Sequence, residues 1–590
     1  MQRFRSVGVL GLMAVALGLS LDAAENVVLK AAFDEKGPSS LSYAGLEFVR
    51  PGGPEVLSVT LEKVGKDEKG FRSHAFEKLT AAPTRTTFDP AKSTWTATFA
   101  WGEAAIAYSS LADRLGVVVT LTNRSDRALA DFSMRLLPLQ FPGKPEGLKD
   151  KGNLRSGLDN PVIVTAGFPK AQVLACMETI DPPTRFGFAD LHGKEKPETA
   201  LMLCGGVMVE EPGECVIGPL GRPRIEPGKS LTIECSLRFA AAGADTQPLV
   251  EDVYRSFAAH YRWMNDWADR RPIGMLMRSS NYKGHKSETN PRGWFWDAKL
   301  DAISKEGKAK FKEAALNDAE RCISTLKSIN GQGMIFWDPE GSENPHPVTY
   351  IGDPRLAAKL APEFDEIADE YFRKFLDAGL RTGVCIRPSQ VYFDAAKKQW
   401  SHGTGSDGAA ERGDHYPALR AADIPWWRFY PIVERMCDKI AYAKKRWGCT
   451  LFYIDTNGIF QGVGEKQEFK WRLLSAEMLR RIKEKHPDVL LIPELVGGDG
   501  AYHTAYWSAA APYFELDLGG CQSPAHVRRL WPNAFSIINV TDGDFVKNRE
   551  KLKEGVKAGD IILVHGWYGA KRNQEVKELY DEVAREKGGK

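Results

Sequence analysis

The sequence predicts two domains, an antiparallel β-sandwich followed by a (β/α)8 barrel. Three observations predict them. From Pro272 to Gly569 a short apolar run that ends in polar or charged residues recurs about eight times, mostly after an amphipathic stretch. Before that region the apolar residues alternate with period two. The 590 residues also exceed the roughly 250 residues of a typical barrel, so a second domain is needed.

The apolar runs after Pro272 are typical of barrel strands. They begin at Ile273, Gly333, Arg381, Thr450, Val489, Pro512, Ala534 and Asp560. Helical stretches precede several of them, at Lys308 to Ser328, Phe364 to Ala378, Trp427 to Arg446 and Phe469 to His486. Because barrel active sites form at the C-terminal ends of the strands, the residues that end these runs are the candidates for chemistry.

Residues 1–24 have the pattern of a secretory signal peptide. Arg3 and Arg5 precede an apolar run from Val7 to Leu21, and small residues follow at Ala23 and Ala24. The run is too short to cross a bilayer, and no later segment is long enough. We therefore expect a secreted or periplasmic protein without a membrane span.

Three further segments complete the predicted domain organisation. Residues 25–245 alternate in short runs such as STWTATFAW and GVVVTLTNRS, broken by turns, which predicts the sandwich. Residues 246–271 form a predicted linking helix, buried between the domains and ended by Pro272. Its apolar residues at helical spacing are Val250, Val253, Phe257, Tyr261 and Trp267. Residues 272–590 form the barrel.

The composition excludes several classes of function. With 79 basic and 77 acidic residues and a net charge of +2, the chain carries no field that would collect nucleic acid or an anionic membrane. A neutral substrate is favoured. The sequence contains neither a phosphate-binding loop nor a dinucleotide fingerprint, so we expect no cofactor.

Neither the cysteines nor the histidines have metal-site spacing. The nine cysteines lack close pairs, which favours buried small side chains, although one bridge among Cys204, Cys215 and Cys235 stays open. The scattered histidines considered as ligands are His346, His402, His415, His503 and His565. We therefore expect no metal site.

Two carboxylates end neighbouring strands of the predicted barrel. In LFYIDTNG, alternation puts Leu451, Tyr453 and Asp455 on one face, so Asp455 ends an inward row at the mouth. Glu494 ends the corresponding row in LLIPELVGG. Strands about 4.8 Å apart bring such carboxylates to within roughly 5 Å, the separation found in retaining glycoside hydrolases. We expect Asp455 to be the nucleophile and Glu494, which follows Pro493 in an apolar strand, to be the acid/base.

Asp517 is the alternative acid/base. In YFELDLGG, Glu515 and Asp517 alternate inward while Phe514 and Leu516 take the other face. Asp517 lies two strands from Asp455, and a separation beyond about 6 Å would suit an acid/base carried on a loop or an inverting reaction. The sequence leaves both assignments and both stereochemical outcomes open.

Polar residues at other strand ends are candidate partners of sugar hydroxyls. The segment WDPEG supplies Asp338 and Glu340, and IRPSQ supplies Arg387, which could also orient a carboxylate. Ion pairs at the barrel rim are the structural alternative for these residues. Asp542, in a segment that also fits a plain turn, and His565 end the last two strands.

Aromatic residues cluster near the same strand ends. Trp296 follows the first strand, Trp337 ends the second and Trp507 precedes the sixth. An aromatic face packs against the apolar face of a pyranose, so we expect these three residues to contact a sugar. Core packing is the alternative for each.

The arrangement as a whole, a secretory signal, a β-sandwich, a linking helix and a barrel whose fourth strand ends in YID, resembles the α-galactosidase and α-glucosidase superfamily of retaining glycoside hydrolases. In those families the nucleophile is an Asp at the end of strand four, which maps onto Asp455. The acid/base is usually an Asp after strand six, which maps onto Asp517. Other barrel glycosidases, including the α-amylase and endo-α-N-acetylgalactosaminidase groups, take a Glu from strand five, which maps onto Glu494.

The sequence thus predicts a secreted glycoside hydrolase that cleaves an α-glycosidic bond in a poly- or oligosaccharide with retention. Two other classes stay open. A polysaccharide lyase would need a base beside a cluster that neutralises a uronate, for which Arg387 is the candidate cation. A glycan-binding protein would have an inert barrel and recognise sugar through its sandwich.

Overall fold

The computed structural model describes residues 28–66, 72–79, 82–146, 153–156, 160–181, 184–193, 196–206, 225–280, 282–341, 352–388, 390–394, 399–403, 430–455, 476–494, 504–516, 523–540, 544–565 and 570–588. The predicted signal peptide, residues 1–24, and the candidate residues Asp517 and Asp542 lie outside these ranges.

Antiparallel strands make up the first half of the described chain. They are β1 (Lys30–Asp34), β2 (Gly37–Tyr43), β3 (Leu46–Glu47), β4 (Glu55–Lys66), β5 (Arg72–Leu79), β6 (Arg85–Asp89), β7 (Thr94–Phe99), β8 (Gly102–Ser110), β9 (Arg114–Asn123), β10 (Ala128–Pro138), β11 (Asn153–Ser156), β12 (Ile163–Gly167), β13 (Ala171–Met177), β14 (Arg185–Gly193), β15 (Lys196–Gly206) and β16 (Ser230–Ala241). They form a 6-stranded sheet, β11-β14-β15-β10-β4-β5, a 7-stranded sheet, β12-β13-β16-β9-β8-β7-β6, and the small sheet β1-β2-β3.

The two large sheets pack face to face around one apolar core. In β9, Val117 and Leu121 are buried while Val118 between them is exposed, as period-two alternation requires. Phe132 of β10 and Leu201 of β15 enter the same core from the other sheet. The predicted β-sandwich is therefore confirmed.

The linking helix is shorter than the sequence predicts. After a short 3-10 turn at Pro248–Val250, helix α1 spans only Glu251–His260. Val250 and Val253 pack against the sandwich, and Phe257 joins the core around the barrel. The segment from 262 to 271 is not helical, so the prediction of one helix up to residue 271 is wrong.

Trp267 gives the physical reason for the early end of α1. Its ring lies in the apolar interior of the barrel, beside Ile273, and its Nε1 donates to Oε1 of Gln332 at 3.0 Å. Gln332 directly precedes the second barrel strand, so this contact lies at the N-terminal end of the barrel. The Arg381 guanidinium lies over the same ring, 4.6 Å from its centroid. Burial of Trp267 as a plug outweighs the helical pattern of this segment.

The second half of the described chain alternates strands and helices. Its elements are β17 (Ile273–Leu276), α2 (Lys305–Ser328), β18 (Gly333–Phe336), α3 (Ala357–Leu360), α4 (Pro362–Asp377), β19 (Thr382–Ile386), β20 (Gln390–Asp394), β21 (Gln399–Gly403), α5 (Tyr430–Trp447), β22 (Cys449–Ile454), α6 (Ala476–Lys485), β23 (Leu490–Pro493), β24 (Tyr513–Glu515), α7 (Ala525–Leu530), β25 (Ile537–Asn539), α8 (Phe545–Lys557), β26 (Ile561–His565) and α9 (Ala570–Gly588). Further 3-10 turns lie at Lys283–His285, Trp294–Trp296, Pro354–Leu356 and Thr504–Ser508.

Eight of these strands form one parallel sheet in the order β23-β22-β19-β18-β17-β26-β25-β24. A parallel bridge between Glu494 and Tyr513 joins the two ends of that order. The sheet therefore closes into a barrel, and the predicted (β/α)8 fold is confirmed. Strands β20 and β21 pair separately as an antiparallel hairpin.

Alternation along the barrel strands separates an interior core from an outer one. In β22, Leu451 and Tyr453 belong to the interior, whereas Phe452 and Ile454 pack under the helices. Both cores are apolar, which explains why the strands appear in the sequence as continuous apolar runs. The side chain that follows each interior row reaches the C-terminal mouth of the barrel.

The described cysteines carry free thiols. They are Cys176, Cys204, Cys235, Cys322, Cys385, Cys437 and Cys449. Of the three cysteines left open for a bridge, Cys204 and Cys235 are thus unbridged, and Cys215 lies outside the described residues. Within the described ranges, no helix has the length and apolar composition needed to cross a bilayer.

Candidate active site

A buried ion pair lies at the mouth of the barrel between β19 and β22. Cys385 is an interior residue of β19, so Arg387 two positions later also faces inward. Its Nε donates to Oδ2 of Asp455 at 2.8 Å, and its Nη2 donates to the same oxygen. Burial lowers the guanidinium pKa of Arg387. The neighbouring Asp455 carboxylate outweighs this effect and raises that pKa above its ordinary value. Arg387 thereby fixes the Asp455 carboxylate in one orientation.

Glu494 lies beside Asp455 at the same height. Strands β22 and β23 pair with Ile454 opposite Pro493, so the next residues along each strand are Asp455 and Glu494. The Glu494 N–H donates to the Ile454 carbonyl at 3.0 Å, which carries the parallel register up to the two carboxylates. Glu494 is half-buried, and Asp455 is 8% exposed. The structure thus brings together the two residues proposed from sequence as the catalytic pair.

The two carboxylates also shift the pKa values of two neighbouring side chains. Burial raises the pKa of the Tyr453 hydroxyl well above its ordinary value, and the charges of Glu494 and Asp455 raise it further. Burial likewise raises the pKa of the Cys385 thiol; the charges of Asp455, Glu340 and Glu494 add to that effect, and Arg387 opposes it. Asp455, Glu494 and Arg387 therefore lie near the interior residues of β19 and β22.

An aromatic floor lies beneath the carboxylates. The Trp337 and Tyr453 ring centroids are 4.2 Å apart, and those of Tyr453 and Tyr513 are 5.1 Å apart in an edge-to-face arrangement. Trp337 is 6% exposed, so it supports the pocket from below more than it lines the opening.

Asn539 is a mouth residue that the sequence analysis missed. It follows the interior residue Ile537 in β25, and its Nδ2 donates to the hydroxyl of Tyr513 at 2.6 Å. Period-two alternation in AFSIINVTDGD would have placed it inward. Glu515, two positions after the interior residue Tyr513 and paired with Asn539, is exposed at the end of the neighbouring β24.

Asp338 is held by the backbone of the first strand's loop. Its carboxylate accepts from the N–H of Arg278 at 3.0 and 3.1 Å, and from the N–H and hydroxyl of Ser279 at 2.6 and 2.5 Å. Burial raises the pKa of Asp338 in spite of these donors. With both oxygens engaged inside the protein, Asp338 is placed to shape the loop after β17. This arrangement differs from the expected contact with a sugar hydroxyl.

Glu340 holds a second stretch of backbone. Its Oε1 accepts from the N–H of Gly352 at 2.5 Å and of Asp353 at 3.1 Å. Burial raises the Glu340 pKa to about 7, and the charge of Asp353 adds to the shift. The side chain has no exposed surface, so the expected direct contact with substrate is not supported.

The remaining candidates divide between the two ends of the barrel. His565 follows the interior residue Leu563 and is half-buried at the mouth. Trp296 lies on the loop after β17, where it is 37% exposed and the Arg278 guanidinium sits 5.6 Å from its ring centroid. Two residues of this loop have left-handed backbone, Phe295 at φ 55° and Trp296 at φ 59°.

Trp507 lies at the opposite end of the barrel. It is buried in the outer core, and its Nε1 donates to the hydroxyl of Ser536 at 3.1 Å. Ser536 directly precedes β25, so this contact marks the N-terminal end of the strands. Trp507 is therefore packed in the core, which is the alternative from sequence, at the end of the barrel opposite the mouth.

The described residues offer no metal-binding cluster. In this part of the chain, no three His, Cys, Asp or Glu side chains converge as a metal ion would require. The chemistry available at the described mouth is that of paired carboxylates, a guanidinium, an imidazole and aromatic rings.

Comparisons with known proteins give likenesses of fold. No protein-family model matches the sequence, and no curated protein matches it. Among solved structures, the alpha-N-acetylgalactosaminidase NagBb from Bifidobacterium bifidum is 11% identical, covering 95% of this chain and 92% of its own, with a TM-score of 0.44.

Two alpha-galactosidase structures are similar at the same level. A variant of the GH36 alpha-galactosidase AgaA from Geobacillus stearothermophilus is 9% identical, covering 94% of this chain and 77% of its own, with a TM-score of 0.41. The galactosidase domain of alpha-galactosidase-sucrose kinase, AgaSK, is 10% identical, covering 95% of this chain and 74% of its own, with a TM-score of 0.41. Likenesses this distant carry no argument about the reaction.

Proposed function

We propose that this chain is a glycoside hydrolase that cleaves an α-glycosidic bond in a poly- or oligosaccharide with retention of configuration. One observation carries the proposal. Asp455 and Glu494 follow paired residues on adjacent parallel strands, at the C-terminal mouth of the barrel. Adjacent strands lie about 4.8 Å apart, which suits the roughly 5 Å separation of carboxyl groups in a retaining enzyme.

In the first step Asp455 would attack the anomeric carbon while the bond to the leaving oxygen breaks. Glu494 gives its proton to that oxygen, so the departing sugar leaves as an alcohol and a covalent glycosyl ester forms on Asp455. Arg387 supports this role because it holds one carboxylate oxygen through two charge-assisted bonds. A fixed orientation of the nucleophile reduces the entropic part of the barrier.

In the second step Glu494, now ionised, takes a proton from a water molecule. That water attacks the anomeric carbon on the face opened by the leaving group, and the ester bond to Asp455 breaks. Two inversions at one carbon give net retention. Glu494 is half-buried and Asp455 is 8% exposed, which fits a group that meets water next to one that is shielded from it.

The setting of the pair favours a sugar over a charged substrate. An aromatic floor of Trp337, Tyr453 and Tyr513 lies below it, and Asn539 is a neutral amide at the rim. Such a combination of apolar faces and a few polar groups suits a pyranose. The α-anomer rests on the resemblance of the domain order to the α-galactosidase and α-glucosidase superfamily.

The polysaccharide lyase alternative loses its candidate cation. Arg387, which the sequence offered for neutralising a uronate, is engaged by Asp455.

Asp517 stays an alternative acid/base and lies outside the described residues. Export through the signal peptide predicted at residues 1–24 remains part of the proposal.

A panel of 4-nitrophenyl α- and β-glycosides tests the proposal. We expect hydrolysis of at least one α-glycoside, with the α-anomer of the free sugar appearing first in the proton NMR spectrum. Asp455→Asn provides the control for contaminating enzymes. Formation of the β-anomer first would indicate inversion and shift attention to Asp517. Absence of hydrolysis, with sugar binding retained, would favour an inert glycan-binding barrel.

A further inference from the structure

A strip of backbone around Gly352 connects three buried side chains with Arg387. We call Glu340, Gly352, Asp353 and Lys439 the Gly352 strut. Glu340 Oε1 accepts from the N–H groups of Gly352 and Asp353, as described above. Glu340 and Lys439 have no exposed surface, and Asp353 is 1% exposed. The strut is therefore shielded from water and from any substrate that enters by the mouth.

The strut holds the backbone of Arg387 at both its N–H and its carbonyl. The Arg387 N–H donates to the Gly352 carbonyl at 3.0 Å. Lys439 Nζ donates to the Gly352 carbonyl at 3.1 Å and to the Arg387 carbonyl at 2.8 Å. Lys439 is itself 3.7 Å from Oδ2 of Asp353. The peptide groups on either side of Arg387 are thus tied to one buried ammonium and one glycine.

Gly352 also contacts Arg387 directly. Its φ is +65°, and a Cβ on this residue would lie 2.7 Å from the Arg387 backbone nitrogen and 2.7 Å from its Cγ. Contacts that short do not occur without movement of one partner. The packing of Arg387 therefore requires a residue without a side chain at position 352.

Burying charged groups in the strut is costly. Among the described residues, Glu340 Oε2 has no hydrogen-bond partner, and its burial is the largest contribution to the raised pKa of this carboxyl. An apolar packing of the same volume would avoid that cost. What the polar strut provides is a fixed Arg387, whose guanidinium reaches Asp455.

We propose that Glu340, Gly352 and Lys439 are positioning residues that set the place of Arg387 and, through it, the orientation of Asp455. The inference rests on the proposed function, in which Asp455 is the nucleophile. It assigns Glu340 an indirect role in the reaction, without contact with sugar. Loss of the strut should therefore lower kcat more than it raises KM, because binding contacts are untouched while the nucleophile loses its orientation.

The first test compares two glycines with the same backbone conformation. Gly352→Ala and Gly379→Ala both place a side chain on left-handed backbone, at φ +65° and +77°. No heavy atom lies within 4 Å of the Cβ that would be added at Gly379, whereas the one at Gly352 meets Arg387. We expect kcat to fall at least tenfold in Gly352→Ala and less than twofold in Gly379→Ala. Equal effects in the two folded variants would overturn the inference.

The second test uses two substitutions at Glu340. Glu340→Gln keeps an oxygen that can accept from both N–H groups, so we expect kcat to stay within threefold of the wild type. Glu340→Ala removes the acceptor, and we expect at least a tenfold loss of kcat with KM changed less than threefold. A rise in KM with kcat unchanged in Glu340→Ala would instead assign Glu340 to sugar binding. These two Glu340 variants also test the inference if Gly352→Ala does not fold.

Crystal structures of the same variants separate this inference from the proposed function. We expect the Arg387 contact with Oδ2 of Asp455 to be lost in Gly352→Ala and Glu340→Ala, and kept in Gly379→Ala and Glu340→Gln. An intact contact in both of the first two variants would overturn the positioning role, whatever the activity. Wild-type protein that hydrolyses no glycoside would overturn the proposed function, and the structures would still decide the positioning role.

Discussion

Arg387 and Asp455 end neighbouring strands of the barrel, and two nitrogens of the one donate to a single oxygen of the other. Because Arg387 is 2% and Asp455 8% exposed, neither charge has water to replace a lost partner. The pair therefore links the proposed chemistry to the stability of the fold. Substitutions here should affect both properties, by separable amounts.

Asp455→Asn should abolish turnover and lower stability moderately. The amide cannot form the glycosyl ester, so we expect less than about 1% of wild-type kcat/KM. It still offers an oxygen to Arg387 but no charge, and we expect a loss of about 1–3 kcal/mol in the free energy of unfolding. Steady-state kinetics and urea denaturation measure the two effects. Residual activity well above about 1% would remove Asp455 as nucleophile.

A double-mutant cycle should show strong coupling within the pair. Arg387→Met leaves the Asp455 carboxylate buried without its guanidinium, which should cost about 3–5 kcal/mol of unfolding free energy. The variant with both Arg387→Met and Asp455→Asn should lose less than the sum of the single losses, since no charge is left unpaired. Urea denaturation of the four proteins gives the coupling energy. Additivity to within about 0.5 kcal/mol would mean that the ion pair contributes little.

Glu494→Gln and Asp517→Asn should separate the two candidates for the acid/base. If Glu494 holds the proton, Glu494→Gln should barely slow the first step for substrates with good leaving groups, yet nearly stop the cleavage of unactivated glycosides. Added azide should then restore turnover by replacing the water that Glu494 no longer activates. Burst kinetics on aryl glycosides with and without azide measure this. The same pattern in Asp517→Asn alone would assign the role to Asp517.

Glu340 should make stability fall as the pH rises. Burial raises its pKa from 4.5 to about 7, so the folded state binds a proton that the unfolded state releases in that interval. Its stabilising contribution is complete below about pH 4.5, declines up to about pH 7 and is constant above. A shift of that size corresponds to roughly 3 kcal/mol.

Glu340→Gln should remove this dependence. Relative to wild type, the variant should gain unfolding free energy between pH 5 and pH 8, by up to roughly 3 kcal/mol. Urea denaturation at a series of pH values measures the difference. A constant difference between the two proteins over that range would show that Glu340 is ionised in the folded state at pH 5.

Trp296 and Trp507 should respond in opposite ways to replacement by alanine. Trp296 is partly exposed at the mouth, so Trp296→Ala should raise KM about 2–10-fold and leave the melting temperature nearly unchanged. Trp507 is buried at the other end, so Trp507→Ala should cost about 3–5 kcal/mol of stability and leave KM unchanged in the folded fraction. Kinetics and thermal unfolding of both variants test the assignment. A raised KM in Trp507→Ala would contradict it.

The isolated barrel, Pro272 to Lys590, should be poorly soluble or much less stable than the full chain. Cutting the chain before Pro272 removes Phe257 of α1, which packs in the outer core, and Trp267, which fills the interior of the barrel. It also breaks the bonds that Asn160 Oδ1 accepts from the N–H and hydroxyl of Thr504, at 2.8 and 2.6 Å. Thermal unfolding of the purified barrel measures the effect. A barrel as stable as the full chain would show that the domains are independent.

The sequence predicts the barrel and the positions of Asp455 and Glu494 at its mouth because both follow from local patterns. Each strand is an apolar run, and alternation places Asp455 and Glu494 inward once the strands are known. The register between β22 and β23 brings them to one height, as expected for two residues that end inward rows on adjacent strands. Asn539 follows from the same rule, as the residue that ends the interior row of β25.

The structure differs from the sequence expectations in contacts between segments far apart in the chain. Nothing near Glu340 in the sequence indicates that its partners are the N–H groups of Gly352 and Asp353. The helical pattern up to residue 271 is real, but burial of Trp267 in the barrel overrides it. In the sequence, Trp507 cannot be distinguished from the tryptophans near the mouth. Only the fold shows that it lies at the opposite end of the barrel.

The place of Trp267 in the chain gives the plug a role in biosynthesis. It precedes all eight strands that enclose it, so the ribosome delivers the plug before the first barrel strand emerges. The sandwich, which is made earlier still, anchors it through Val250 and Val253. We therefore expect the strands to close around Trp267 as a template. A deletion that removes Trp267 should then slow the assembly of the barrel as well as lower its final stability.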